Sequence, residues 1–398
     1  MIPTPSDTTL AALHRAIAAE GDPIRRAELR FLAARALRQL GAFQATREAL
    51  ETARIEAPEH PQIQRSLGLE LFRMGQIAEG LTLYDQGRWQ LESHAKYRRP
   101  FSAPYWKGEA LKGRRLLLWA EQGIGDQIMQ VRILARLLAE GAEITLEADP
   151  RLFPLLGPLA ARITCVPQTV PASPALQKAE FDWQSSLFSA WRFVENPTAA
   201  GQCLHADPVL SKRYRNAWAK MGPAMNVGLS WHSRAEATGA LRSITPEALA
   251  PLSARPDTRF HSLQYGQPDL TTFSQAFGAP LLSDPSVDPL ASLTEQAAQI
   301  AALDLVITID NATAHLAGAL GVKTGSSCRK VRNGGGVRGS SKPPSTPRSA
   351  SSALRISANG AQRFGGWRKN SAPIKRHNQT KNAMPIPVTV TANSKHNL

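Results

Sequence analysis

Cysteine is scarce in this chain: Cys165, Cys203 and Cys328 are the three in 398 residues. They form no CxxC pair, which argues against a disulfide framework or a zinc ribbon. Long apolar runs are also missing, none approaching the ~20 residues of a membrane helix. The opening segment, MIPTPSDTTLAALHRAIAAEGDP, has no charged-then-apolar signal pattern. A soluble cytoplasmic protein is the expectation. Acidic residues are absent from one region: residues 325–398 hold 14 Lys or Arg and no Asp or Glu. The preceding residues carry 33 basic against 32 acidic side chains, so the formal charge of +15 lies in the tail. The body is near neutral, and nucleic acid is not its expected partner.

Residues ~10–95 are rich in alanine and leucine, with proline at the boundaries, and predict helices. Gly41 and Gly75 lie 34 apart in matching contexts, RALRQLGAFQATREAL and LELFRMGQIAEGLTLY. That spacing, with Leu67-Gly68, Tyr84 and Pro58, resembles tetratricopeptide repeats, helical pairs that bury their faces by stacking. An ordinary helical hairpin is the alternative. Residues 96–114 are a connector whose aromatic and proline content suggests packing onto the next domain.

The chain is organised around RLLLWAEQGIGDQIMQVR, Arg115 to Arg132. Leu116–Trp119 has the composition of a buried parallel strand. Glu121, Gln122, Gly123 and Gly125 form a turn, and apolar residues then follow at helical spacing. Strand, glycine turn and helix make the first unit of a doubly wound domain, with a ligand edge at the turn. Asp126 stands at that edge. Strands and helices alternate onward through AEITLE, and a second series starts at MNVGLSWHS. LDLVITI then runs into Asp310-Asn311-Ala312-Thr313, a second turn suited to a diphosphate. The predicted fold class is therefore helical repeats (1–95) followed by α/β with two Rossmann-like halves, 115–215 and 216–324. A disordered basic tail, 325–398, completes the prediction.

Four segments in this order, AEQGIGDQIMQVR, VGLSWHS, FHSLQYG and LDLVITIDNATAHLAGALG, resemble the heptosyltransferase-like glycosyltransferases of family 9 fused to tetratricopeptide repeats. The resemblance covers about residues 30–324. It implies the glycosyltransferase B fold, no metal or other cofactor, a nucleotide-sugar co-substrate and a saccharide or protein acceptor. A protein partner could bind the repeats. In the resemblance Asp126 is the general base on the acceptor hydroxyl, and Glu121, Gln122, Gly123 and Gly125 form the acceptor-side turn. Ser230, His232, Arg242, Asp310, Asn311, Ala312, Thr313 and His315 fall on the donor side. The family commonly has threonine where this chain has Asn311. The two halves are expected to face each other across a cleft.

Plainer roles stand beside these. Asp126 can serve as a helix cap, His315 as a packed core histidine, and Glu121 as a partner for a nearby arginine. Trp119 and Trp231 read as core. A repeat-containing interaction scaffold with a non-catalytic transferase-like half is the competing function.

The tail breaks the resemblance after Thr324, where the family has a further strand and a tryptophan-rich segment. One allowed coding of Gly325–Gly336, read one base earlier, spells WVLLPQGAEWRW, a strand of the expected kind. An out-of-frame tail is therefore the expectation, leaving an incomplete second half and an unstable or inactive enzyme. The gene should hold an open neighbouring frame beyond codon 324 that encodes this segment. Sequencing that finds the frame closed overturns the expectation and makes the basic tail genuine.

Overall fold

The computed structural model describes residues 7–195, 197, 201–235, 239–266, 268–327 and 389–390. The tail from 328 to 388 and from 391 onward, with the out-of-frame reading placed on it, lies outside the described residues. Chain contacts divide the molecule into two compact units.

The first unit opens with five helices: α1 (Asp7–Ala19), α2 (Pro23–Gln39), α3 (Phe43–Glu56), α4 (Pro61–Arg73) and α5 (Ile77–Arg88). Proline sits in the first turn of α2 and of α4, where its missing N–H costs nothing. Helix α2 packs with α3, and α4 with α5. Gly41 and Gly75 follow α2 and α4 with φ of +75° and +87°, so the 34-residue spacing is one left-handed turn used twice. Close approach accounts for Gly68: a Cβ there would stand 2.4 Å from the Tyr84 amide and 2.6 Å from the Gly80 carbonyl.

A four-stranded parallel sheet follows within the same unit. Its strands are β1 (Arg115–Trp119), β2 (Glu143–Ala148), β3 (Thr164–Pro167) and β4 (Trp183–Ser186), in the order β3-β2-β1-β4. The helix expected after β1 is broken into α6 (Ile124–Gln130) and α7 (Leu134–Ala139) by one 3-10 turn. The sequence also predicts a helix over Leu152–Leu159, but Pro154 and a left-handed Gly157 (φ +55°) leave two 3-10 turns there. The unit also holds α8 (Pro174–Lys178) and α9 (Leu187–Ala190). The connector is docked: the Gln184 side-chain amide donates to the Phe101 and Ala103 carbonyls at 2.9 and 2.8 Å. Its oxygen accepts from Trp119 Nε1 at 3.1 Å.

The second unit begins with α10 (Pro208–Ala219), expected from the sequence to close the first half. It belongs here instead. Helix α10 packs on α14 (Thr294–Ala302), and Trp218 lies against His261 with ring centroids 4.1 Å apart. The sheet is built from β5 (Met225–Ser230), β6 (Thr258–Ser262), β7 (Leu281–Ser283), β8 (Leu305–Ile309) and β9 (Thr324–Ser327). The parallel order β7-β6-β5-β8-β9 is that of a doubly wound half. Short helices α11 (Gly239–Arg242), α12 (Pro246–Leu249) and α13 (Leu270–Phe277) follow β5 and β6, and α15 (Ala312–Ala319) follows β8. Two elements of this sheet fall within the segment expected as tail. Gly325 to Ser327 continue β9 beside β8, so the sheet keeps the strand expected to be lost. A two-residue β10 (Thr389–Val390) pairs antiparallel with β7, so part of the tail joins the sheet. Strand pairing uses backbone groups alone, which lets a polar segment occupy an edge. No helix among the described residues is long and apolar enough to cross a membrane.

His261 is 1 % exposed within β6, where its Nε2 stands 3.0 Å from Asn226 Oδ1. Burial, with the Arg259 charge added, lowers its pKa from 6.5 to about 3. The unfolded chain therefore takes up a proton near pH 6.5 that the folded chain refuses until about pH 3. Stability from this group is complete above pH 6.5 and is lost as acid is added, by up to about 1.4 kcal/mol per pH unit. Denaturant melts of His261→Gln and the parent at pH 7 and pH 5 should show the variant losing less on acidification. Equal losses would contradict this.

Candidate functional site

In the first unit the turn after β1 is gripped on several sides. Ala120 N–H donates to Glu147 O at 2.7 Å, and Gln168 Nε2 donates to Ala120 O. Gln127 Oε1 accepts from Asp149 N–H at 2.9 Å, which ties the start of α6 to the end of β2. Glu147 is fully buried and paired with Arg99 of the connector; desolvation pushes its pKa up while Arg99 draws it down.

Glu121 does not line the open turn. It is 3 % exposed, and both its carboxylate oxygens lie 2.6 Å from Arg88 Nη1 at the end of α5. Arg88 is itself 1 % exposed. Its Nε donates to Asp85 Oδ1 at 2.8 Å, and its Nη2 to Ser189 Oγ at 2.8 Å and Ser186 Oγ at 3.1 Å. Burial opposes the Arg88 charge, but Glu121 and Asp85 override it and hold the guanidinium above its usual pKa. Gln122 takes the left-handed conformation, φ +69°, with no glycine to ease it. Gly123, by contrast, caps α6 with φ −77°, which other residues adopt readily. Asp126 sits half-buried in the first turn of α6, where the helix dipole favours a carboxylate. Its Oδ2 would lie 3.8 Å from a Cβ built on Gly123. Trp119 is fully buried, and Trp231 of the second unit is 8 % exposed; both are core.

In the second unit the carboxyl ends of β5, β6 and β8 are joined by side chains. Asn311 caps α15 by accepting from Ala314 N–H at 3.3 Å, and Thr308 Oγ1 donates to the same Asn311 oxygen at 3.0 Å. The Asn311 amide donates to Ser230 Oγ at 2.9 Å. Ser230 Oγ in turn donates to Gln264 Oε1 at 3.4 Å. That oxygen also accepts from the Trp231 and His232 amides at 3.0 and 2.9 Å, and Gln264 Nε2 donates to His232 O at 3.0 Å. Gln264 thus acts as a short extra strand beyond β6. Ser243 Oγ donates to Gly239 O at 2.8 Å and stands 3.1 Å from His232 Nδ1. Arg242 is held beside the β8 turn by the Asp310 carbonyl at 3.3 Å, with Asp310 Oδ2 3.7 Å from its Nε. Asp310 is exposed, Ala312 and His315 are half-buried, and the Thr313 side chain is buried, 3 % exposed.

The donor-side residues named from the sequence, Ser230, His232, Arg242, Asp310, Asn311, Ala312, Thr313 and His315, therefore cluster at one edge of one sheet. Gln264 was not among them, although it closes the FHSLQ strand at the edge where a doubly wound sheet binds ligands. Nor were Ser243, Tyr265 and Arg234. The Tyr265 hydroxyl accepts the Arg234 amide at 2.7 Å, and the Arg234 guanidinium lies over Gly266. Only the folded loops bring these together. Such an edge can hold an anionic, hydrogen-bonding ligand: it offers a helix start, exposed arginines and an imidazole.

No family model matches the chain. Protein FlbA of Caulobacter vibrioides is 27 % identical over 315 residues, 71 % of this chain and 51 % of its own length. The chain thus spans about half of that relative. Among solved structures, the glycosyl transferase family 9 from Veillonella parvula aligns over 55 % of this chain and 82 % of its own, at 14 % identity and TM-score 0.42. E. coli ADP-heptose lps heptosyltransferase II aligns over 54 % and 84 %, at 12 % identity and TM-score 0.38. Both scores are too low to assign an activity by likeness.

Gln264→Ala should leave the Trp231 and His232 amides short of an acceptor and cost about 1–3 kcal/mol. Urea unfolding of the full chain checks this. An unchanged midpoint would show that the β5–β6 bridge carries no strain-free hydrogen bonds.

Proposed function

We propose that the chain is a glycosyltransferase that moves a sugar from a nucleotide-sugar donor to a saccharide or protein acceptor. The observation that carries this reading is the Asn311–Ser230–Gln264–His232 lattice, which fixes three adjacent strand ends into one anion-ready edge. The four sequence segments that resemble the family 9 transferases support it, since the lattice is made from three of them. In this reading α2 to α5 are two tetratricopeptide-like repeats that present the acceptor or a partner.

In the chemistry that the resemblance implies, Asp126 accepts the proton of the acceptor hydroxyl as its oxygen attacks the anomeric carbon, and the bond from that carbon to the diphosphate oxygen breaks. The charge arriving on the diphosphate is met by the amides at the start of α15 and by Arg242. The exposed His232 imidazole, beside Ser243, faces a sugar or ribose hydroxyl. No step calls for a metal. The lattice residues hold these groups still, so little reorganisation remains when charge develops.

Because Gly325 to Ser327 complete β9 beside β8, the expectation of an inactive chain is set aside, and the purified full chain should turn over one of a panel of ADP-, UDP-, GDP- and CMP-sugars. Asp126→Asn should lower kcat by roughly 10²- to 10⁴-fold, the usual share of a general base. Nucleotide affinity by calorimetry should not change. Absence of both nucleotide binding and turnover from the parent chain would refute the assignment.

A further inference from the structure

The turn that carries Asp126 is held by the helical region. Arg88, the last residue of α5, binds both oxygens of Glu121 and reaches Ser186 at the end of β4 and Ser189 of α9. One turn earlier, Tyr84 lies under the same guanidinium, 4.6 Å from ring centroid to Arg88 Cζ. The Tyr84 hydroxyl accepts from Gln122 Nε2 at 3.3 Å. Gln122 is the residue in the left-handed conformation, a state that costs an L-residue roughly 1–2 kcal/mol and persists only when its surroundings hold it. Two of its anchors are side-chain contacts from one helix, Tyr84 directly and Arg88 through neighbouring Glu121, and Gln127 Nε2 of α6 donates to the Gln122 carbonyl at 3.4 Å. Gly123, which opens α6, follows at once, and Asp126 stands three residues beyond.

We infer that Tyr84 and Arg88 are positioning residues for the Asp126 carboxylate, fixing the strained Gln122 turn from the last helix of the helical region. The inference rests on the transferase reading. The helices then complete the acceptor-side turn as well as presenting a surface. Arg88 suits this task because its planar fork meets several acceptors at once, which a lysine cannot do.

The test uses the full chain with Tyr84→Phe, which removes the oxygen facing Gln122 and keeps the ring. Gln122→Gly, which removes the other end of the contact and relieves the left-handed strain, is the second variant, and the double variant is the third. Hydrogen exchange of the amides at 121–127 should quicken about tenfold in Tyr84→Phe, as expected for one lost hydrogen bond. The melting temperature should stay within a few degrees. With ADP-, UDP-, GDP- and CMP-sugars as donors, kcat should fall at least about tenfold, as misplaced catalytic groups cost. The donor KM should stay the same, and the double variant should be no slower than either single one. Unchanged exchange and kcat in the variants, or additive losses in the double variant, overturn the inference and leave the transferase reading standing. A parent chain that turns over none of these donors overturns both.

Discussion

A single buried cation organises the first unit. Arg88 is almost fully enclosed, yet its guanidinium meets two carboxylates, two hydroxyls and the faces of Tyr84 and Trp89. Taking such a charge from water costs several kcal/mol, which this many partners can offset. Removing one partner would leave a buried charge unmatched, a loss of about 3–5 kcal/mol in comparable pairs. Asp85 adds a second strand to the knot through Arg192 Nη1 at 3.2 Å and Ser189 Oγ at 3.0 Å. Helix, β1 turn, β4 end and α9 are thereby fixed to one another by directional contacts as well as by apolar packing.

The second unit uses neutral groups for the corresponding task. Asn311, Ser230 and Gln264 exchange hydrogen bonds across three strand ends, without a buried ion pair. The difference follows from exposure. His232, Arg242 and Asp310 stand at the water-facing edge, so that edge is shaped by amide dipoles while its charges remain available to a ligand. The first unit buries its charges and uses them for rigidity.

Much of the fold was legible in the sequence because it depends on local periodicity. Apolar runs such as Leu116–Trp119 and Leu305–Ile309 became the central strands, and the Gly41–Gly75 spacing became a repeated turn. Most of the residues proposed for the donor side could be placed at one sheet edge because they stand at or just beyond strand ends. What escaped was set by distant contacts. Gln264 is an ordinary amide until β6 lies beside β5. Helix α10 went to the second unit because Tyr214 reaches Asp284 at 2.8 Å, 70 residues away. Within the first turn the left-handed position is Gln122 and neither glycine, a choice that propensity would not make. Glu121 had an arginine partner as one reading, but nothing in its local context pointed to residue 88. The polar start of the tail, Gly325 to Ser327, became strand because β8 offered backbone partners.

The order of segments along the chain invites a view of the helices as an attachment, separable at the connector. The Arg88 knot makes that boundary illusory. A cut through residues 96–114 would leave Glu121 in a dry pocket without its counter-charge, so it would take up a proton or draw water into the sheet edge. Swapping these helices for another helical array would fail for the same reason unless the new array supplied an arginine at that spot. Modularity here ends one helix earlier than the linear map suggests, and α5 belongs functionally to the α/β body.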